Sequence, residues 1–558
     1  MREFTVDALV EIGDDDTLTD ALWGRAASEP ARVAFAAPRD GTPELLFGEL
    51  AGRVRGLALR LVAEGVRPGD RVAIIGPTCA DWVIADLAVL SAGAITVPIY
   101  PTASAEQITA VLRDAAPVLC FAAPGMDVPG AERVWRFGEF PAPLPEDAGA
   151  AAELAERLAA ARADDVATIV YTSGTTGVPK GCVLTHRNIL AAAGNVVALL
   201  PELFGDQEES TGKPSTLLFL PLAHVYGRVV LFGCLRAGTR TGLVADAAGL
   251  ISCLAGFRPT FLVGVPYVLE KIRKAARRQF DERDLIARGS AIRHGRPGRE
   301  RGGEELRAWL QGLFGGRLTH MICGGASLDA ATLDFFAGAG LTVLGAYGLT
   351  ETASTVSMSA PTANVPGAAG RPVPGTTVAI SDDGEILVRG PQLAPGYWPD
   401  HAHPAGDWLR TGDLGHLDDG GFLHVTGRRK EILVTSGGKN VAPAPLEDRL
   451  RSCPLVSNCM VVGEGRPFVM ALITLDPAAV SAWERETGTT DAAALERELE
   501  RAVTQANEPV SRAESIRAFR VLGEDFTVER GHLTPSLRLR RAVIEKEFAA
   551  EIEDVYAS

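Results

Sequence analysis

Ten consecutive residues, Thr172-Ser173-Gly174-Thr175-Thr176-Gly177-Val178-Pro179-Lys180-Gly181, carry four hydroxyls, three glycines and one lysine. Glycines let backbone N–H groups come close to anionic oxygens, hydroxyls add donors and an ammonium adds charge, so this composition suits phosphate. The Walker A spacing is absent, which excludes an ordinary P-loop nucleotidase. Farther along, Tyr347-Gly-Leu-Thr-Glu351, Thr411-Gly-Asp413 and Gly427-Arg428 offer an aromatic face, two carboxylates and a guanidinium. Taken singly, each has a plain structural reading. Tyr347 is a core aromatic, Glu351 a carboxylate favoured at a helix start, Asp413 a turn residue, and His224, in an apolar stretch, a core histidine.

Taken together and in this order, these segments resemble the signature of the adenylate-forming superfamily of acyl-CoA synthetases, luciferases and peptide-synthetase adenylation domains. Leu220-Pro-Leu-Ala-His224, Gly324-Gly-Ala326, Gly384-Glu385 and Gly437-Gly-Lys-Asn440 extend the likeness over nearly the whole chain. Within the superfamily, Arg428-Arg-Lys-Glu431, the Gly-Gly-Lys-Asn run and Leu533-Thr-Pro-Ser536 are most similar to bacterial long-chain fatty acyl-CoA synthetases.

The resemblance implies an enzyme that activates an oxyacid with ATP, releases pyrophosphate and leaves an adenylate. Thr172, Ser173, Gly174, Thr175, Thr176, Gly177 and Lys180 would hold phosphates, with Gly324, Gly325 and Ala326 completing the nucleotide site. Tyr347 would stack on adenine, and Asp413 and Arg428 would hold the ribose. Thr350 would touch the α-phosphate, Glu351 would hold Mg2+, and His224 would border the substrate carboxylate. Lys430 matches the hinge about which a small C-terminal domain rotates between half-reactions. Gly437, Gly438 and Lys439 match the loop lining the tunnel for the thiol of coenzyme A. One position departs from the family: Arg538 stands where relatives carry a lysine that bridges carboxylate and α-phosphate. Arginine keeps the charge but spreads it over a broad planar fork.

The elements that must position these residues are legible as periodicities. From about Arg71 short apolar runs alternate with amphipathic stretches: a strand over 71–75, a helix over 81–92, a strand over 94–99 and a helix over 105–115. This rhythm predicts an α/β fold with parallel-rich sheets covered by helices. The apolar run Asp165 to Tyr171 reads as a buried strand, and a helical pattern starts near Thr185, which places the phosphate loop between strand and helix. Residues 141–165 read as a connector with one exposed helix. Residues 281–305, dense in Arg, Glu and Gly, read as a solvated insertion, short for the long-chain group. Strand patterns around 384–388 and 422–425 form a small β unit. The boundary near Gly427 then divides a large N-terminal domain, 1–427, from a small α+β domain, 428–558, which the resemblance implies is mobile.

Composition narrows the partners. A net charge of −15 and a pI near 5.2 argue against nucleic acid. Eight cysteines without a Cys-x-x-Cys pair read as reduced thiols of a cytoplasmic protein. The start of the chain lacks the basic-then-apolar order of a signal peptide, and no apolar run is long enough to span a bilayer. His401 and His403 show no zinc spacing. The resemblance, with its departure at Arg538, leaves three readings: an acyl- or aryl-CoA synthetase, a diazotase that activates nitrite for an aryl amine, and a nucleotide-binding protein without turnover.

Overall fold

A computed structural model describes residues 2–557 except 40, 42, 141–147, 173–178, 206–212, 278, 297–302, 327, 401–407, 509, 529 and 535–537. The alternation after Arg71 builds a seven-stranded sheet. Its order is Gly396–Tyr397, Lys180–Thr185, Val166–Thr172, Ile95–Ile99, Arg71–Ile75, Leu119–Ala122 and Val134–Arg136. The strands from 134–136 across to 166–172 run parallel. The other two close the edge in antiparallel register. Val, Ile and Ala fill the central strands because both faces are covered. The helix Ala80–Ser91 is buried continuously from Trp82 to Ser91.

A second sheet joins Phe261–Gly264, His320–Cys323 and Thr342–Tyr347 in parallel and adds Ser357–Met358 and Arg371–Pro372 antiparallel. The expected small β unit is a five-stranded antiparallel sheet ordered Arg2–Thr5, Thr377–Ile380, Glu385–Arg389, Leu409–Leu417 and Leu423–Arg428. After residue 430, strands Val456–Val462, Val469–Leu475 and Ile516–Val521 form a three-stranded sheet with helices over 443–451 and 492–507. This part has its own core around Leu446, Val461 and Leu499. The result is a mixed α/β chain with a large N-terminal part and a smaller C-terminal one.

Two expectations are corrected. The phosphate loop does not join strand to helix. Val166–Thr172 and Lys180–Thr185 pair antiparallel, with Thr172 opposite Lys180, so the segment between them connects two strands. The helix His186–Leu199 begins only after the second strand, where Thr185 accepts from the Asn188 N–H and Asn188 returns the bond. The helix starts where its pattern placed it, near Thr185, and the run Cys182-Val183-Leu184 before it is a strand of the sheet.

Nor is the 281–305 segment only solvated. It contains the helix Arg283–Arg293, which packs against Ala330–Gly338 through buried Leu285 and Gly289. A Cβ on Gly289 would lie 1.7 Å from the Asp334 carbonyl oxygen, and one on Gly338 would lie 2.0 Å from that of Leu285. Only glycine permits this approach. The charges expected to face solvent are partly paired inward, with Glu282 on Arg273 and Arg293 on Asp334.

Candidate active site

The strand Thr342–Tyr347 ends at a tight turn. The N–H of Ser354 donates to the Leu349 carbonyl and that of Ala353 to Thr350, and a Cβ on Gly348 would lie 1.9 Å from the Ser354 carbonyl oxygen. Ala353 and Ser354 both adopt positive φ, 44° and 81°. Two successive non-glycine residues in that region are costly and persist only when neighbours over-determine them. This turn fixes Tyr347, which with Gly348 lines a cavity of about 1530 Å³; Thr350 and Glu351 follow in the same turn and are not among the residues lining that cavity.

The adjoining wall comes from the β unit. Asp413 and Arg428 are direct cross-strand partners. Tyr347 donates through its hydroxyl to Asp413 Oδ2 at 2.7 Å, and Arg428 Nε lies 3.0 Å from Oδ1. Asp413 is buried, and Oδ1 is oriented so that it accepts no hydrogen bond. Burial raises its pKa while Arg428 opposes the rise. A buried carboxylate oxygen that is ion-paired but accepts no hydrogen bond, beside an aromatic ring, fits a ribose hydroxyl. Burial, then Asp413, holds the Tyr347 phenol well above its ordinary value, so it stays a neutral donor.

His224 caps the helix Val225–Ala237, its Nδ1 accepting from the Tyr226 N–H at 3.1 Å. That bond places the ring proton on Nε2. Burial, with a smaller contribution from Arg538, pushes its pKa down to about 4. The ring is neutral at physiological pH and can donate to an anionic oxygen without carrying charge. Tyr100 packs edge-on against it at 6.4 Å.

Gly324, Gly325 and Ala326 follow the strand His320–Cys323. Arg538, from the C-terminal part, donates from Nη2 to the Gly325 carbonyl at 2.8 Å. It lines the same cavity as Tyr100, His224, Asp413 and Arg428. Arg538 keeps solvent exposure there, and partial desolvation, then the nearby Arg428, holds its pKa below the usual arginine value. The charge expected there from sequence is therefore delivered to the cavity.

Glu351 accepts from the Tyr397 hydroxyl at 2.5 Å, and Lys180 Nζ lies 5.9 Å from the centre of the same ring. Thr172 ends the strand before the loop, and Ser173, Gly174, Thr175, Thr176 and Gly177 lie outside the described residues, as do His401 and His403. No group of three or more His, Cys, Asp or Glu able to hold a metal occurs among the described residues. One accessible carboxylate suits Mg2+, which keeps waters and takes its remaining ligands from substrate phosphates.

Not every expected residue gathers here. Lys430 lies in a short 3₁₀ turn, Arg429–Glu431, and Arg429 pairs with Asp383 and Glu385 of the β unit. Gly437, Gly438 and Lys439 form the tip of the hairpin Leu433–Val434 and Asn440–Val441, with Lys439 near Glu514. They do not line the cavity. Sequence reasoning missed Tyr397 and Tyr100, which stand in no phosphate-type or acid–base pattern. It also missed a fully buried ion pair, Arg228 Nη2 to Asp86 at 2.6 and 2.9 Å, one helical turn beyond His224.

The sequence model of the AMP-binding enzyme family matches residues 22–398, and that of the AMP-binding enzyme C-terminal domain matches 430–558. Long-chain-fatty-acid–CoA ligase FadD15 of Mycobacterium tuberculosis H37Rv is 39% identical over 604 residues, covering 100% of both chains. Long chain acyl-CoA synthetase 7 (peroxisomal) of Arabidopsis thaliana is 27% identical over 580 residues, covering 92% of this chain and 81% of the relative. Among solved structures, the A-PCP didomain of the carboxylic acid reductase from Segniliparus rugosus, in complex with AMP, aligns with a TM-score of 0.75 at 22% identity, covering 98% and 83%. O-succinylbenzoate coenzyme A synthetase from Bacillus subtilis, with ATP and magnesium, aligns at 0.70 and 23%, covering 94% and 98%. At these identities the structures bear on the fold.

Proposed function

The chain belongs to the AMP-binding enzyme family, as an ATP-dependent, AMP-forming ligase that converts a carboxylate to its coenzyme A thioester, and we propose that the carboxylate is a long-chain fatty acid. The observation that carries this reading is the 39% identity to a long-chain ligase along the full length of both chains. The cavity supports it, because apolar Phe219, Ile251, Val265, Leu333, Ala337 and Val343 line it beyond the polar residues. The readings as a nitrite-activating enzyme and as a protein without turnover have nothing in their favour beyond Arg538 itself.

The geometry supports a role for each residue. Tyr347 presents a ring to adenine, and Asp413 accepts ribose hydroxyls with Arg428 beside it. His224, neutral, donates from Nε2 to the substrate carboxylate. Lys180 and Arg538 supply fixed positive charge to the phosphates, where stabilising developing charge is worth most in a water-poor cleft. Magnesium, held through Glu351, would add counter-charge to the triphosphate. Residues 428–558 act as a mobile domain hinged near Lys430. The orientation described here, with Arg538 in the cavity and Gly437–Lys439 outside it, belongs to the adenylate-forming stage.

The test is an acid panel from short to long chain, with ATP and Mg2+, read by pyrophosphate release with and without coenzyme A. Fastest turnover on long-chain acids, with thioester formed only when coenzyme A is present, is expected. Preference for short or aryl acids would overturn the chain-length assignment.

A further inference from the structure

Glu351 is gripped from a second segment at two points. Its carbonyl accepts from the Ala394 N–H at 2.9 Å, and its carboxylate Oε1 accepts from the Tyr397 hydroxyl at 2.5 Å. Residues 391–397 are themselves anchored. Asn188, from the helix that follows the strand Lys180–Thr185, donates through Nδ2 to the carbonyls of Pro391 and Leu393 at 2.9 and 2.8 Å. Tyr397 then pairs with Cys182, two residues beyond Lys180, and the Trp398 N–H donates to the Gly181 carbonyl. Gly181 allows this approach, because a Cβ there would lie 2.6 Å from Ile169 Cγ2 and 3.3 Å from Trp398 Cβ.

The backbone turn sets where Glu351 starts, but a glutamate side chain still has three rotatable bonds. A charge-assisted O–H···O⁻ bond of this length removes that freedom and occupies one oxygen. The ring that carries the hydroxyl also faces the Lys180 ammonium. One side chain thus touches both the lysine that closes the phosphate loop and the carboxylate across from it.

We propose that Tyr397 is a positioning residue that locks Glu351 through Oε1, so that Oε2 is the oxygen presented to the magnesium of MgATP. This rests on the assignment of Glu351 given above and extends it to a residue outside the signature segments. Tyr397 touches neither the reacting atoms nor the metal. Its effect is on how well one carboxylate is aimed, in the way that outer partners of metal-ligating groups tune affinity.

Tyr397→Phe keeps the ring over Lys180 and removes only the hydroxyl. Calorimetric titration with ATP, in Mg2+ and separately in EDTA, reads its effect independently of turnover. MgATP binding should weaken by about tenfold or more, ATP binding in EDTA should stay within about twofold, and half-saturating Mg2+ for AMP formation should rise in parallel. In a Glu351→Gln background, Tyr397→Phe should add nothing further. Equal weakening with and without Mg2+, or an additive loss in the double variant, would overturn the proposal. If Glu351→Gln shifts the Mg2+ dependence and Tyr397→Phe does not, this inference alone fails. If Glu351→Gln leaves that dependence unchanged, the metal assignment fails and takes this inference with it.

Discussion

Arg538 reaches across from the C-terminal part to donate to the Gly325 carbonyl at 2.8 Å. The contact brings a guanidinium from residues 428–558 into a cavity built largely by residues 76–428. Arg538→Ala should lower AMP formation by about 10²-fold, the usual cost of losing one donor to a developing anion. It should leave thioester formation from a supplied acyl-adenylate intact. Arg538→Lys retains the charge in a more compact head and should support carboxylate activation at or above the rate of the natural protein. Unchanged pyrophosphate release in both variants would remove Arg538 from the site.

The hinge assignment makes a different demand. Lys430 lies beside Arg429, whose guanidinium pairs with Asp383 and Glu385. A change of orientation about this turn must alter φ/ψ there, and proline fixes φ near −65°. Lys430→Pro is expected to form adenylate while thioester synthesis collapses. Measuring the half-reactions separately decides the point, since equal loss of both would remove residue 430 from the hinge role.

His186 sets an acid limit on stability. It is buried, accepts from the Leu18 N–H through Nδ1, and burial pushes its pKa down to about 4. The unfolded chain takes up a proton near pH 6.5 while the folded chain does not until near pH 4, so stability falls as pH drops through that window. From pH 7 to pH 5 this one group should cost about 2 kcal/mol. Urea unfolding of the natural protein and of His186→Gln at both pH values should show the variant losing less on acidification. An identical pH dependence would refute the assignment.

The crossing of helices 283–293 and 330–338 gives a packing prediction. On an exposed helix, Gly to Ala stabilises by about 1 kcal/mol. Here Gly338→Ala must force Leu285 away and should destabilise by about 1–3 kcal/mol. Because Ile292, Arg293, Leu333 and Ala337 of these two helices line the cavity, the KM for the longest acids should rise more than that for ATP. A variant as stable as the parent, with an unaltered acid preference, would contradict the contact.

Much of this was legible in the sequence because it depends on local pattern. The strand and helix over 71–99 and the helix 105–115 follow from periodicity. The meeting of Tyr347, Asp413 and Arg428 followed from the ordered segments, although their cross-strand pairing did not. What stayed hidden depends on pairing across distance. The apolar run Cys182-Val183-Leu184 carries no strand signal of its own, and its pairing with 168–170 and 396–397 makes it one. The charge density of 281–305 masked Leu285 and Gly289, whose burial is set by a glycine about fifty residues away. Tyr397 lies in a Gly-Tyr-Trp-Pro run that announces a turn, and only the fold brings it to Glu351.

The buried pair of Asp86 and Arg228 bears on how the chain finds its fold. Both side chains are wholly enclosed, and Arg228 is otherwise met by the faces of Trp82 and Phe232 at 5.9 and 5.8 Å. Thr96 also donates to Asp86, so three elements, 80–91, 95–99 and 225–237, converge on one carboxylate. An apolar contact between these helices would tolerate a slip of one turn with modest loss. A slip here separates two charges with no water to receive them, at a cost of about 3–5 kcal/mol when one partner is left alone. The pair therefore acts against mispacked alternatives, and it ties the register of the helix headed by His224 to the central sheet before any ligand is present.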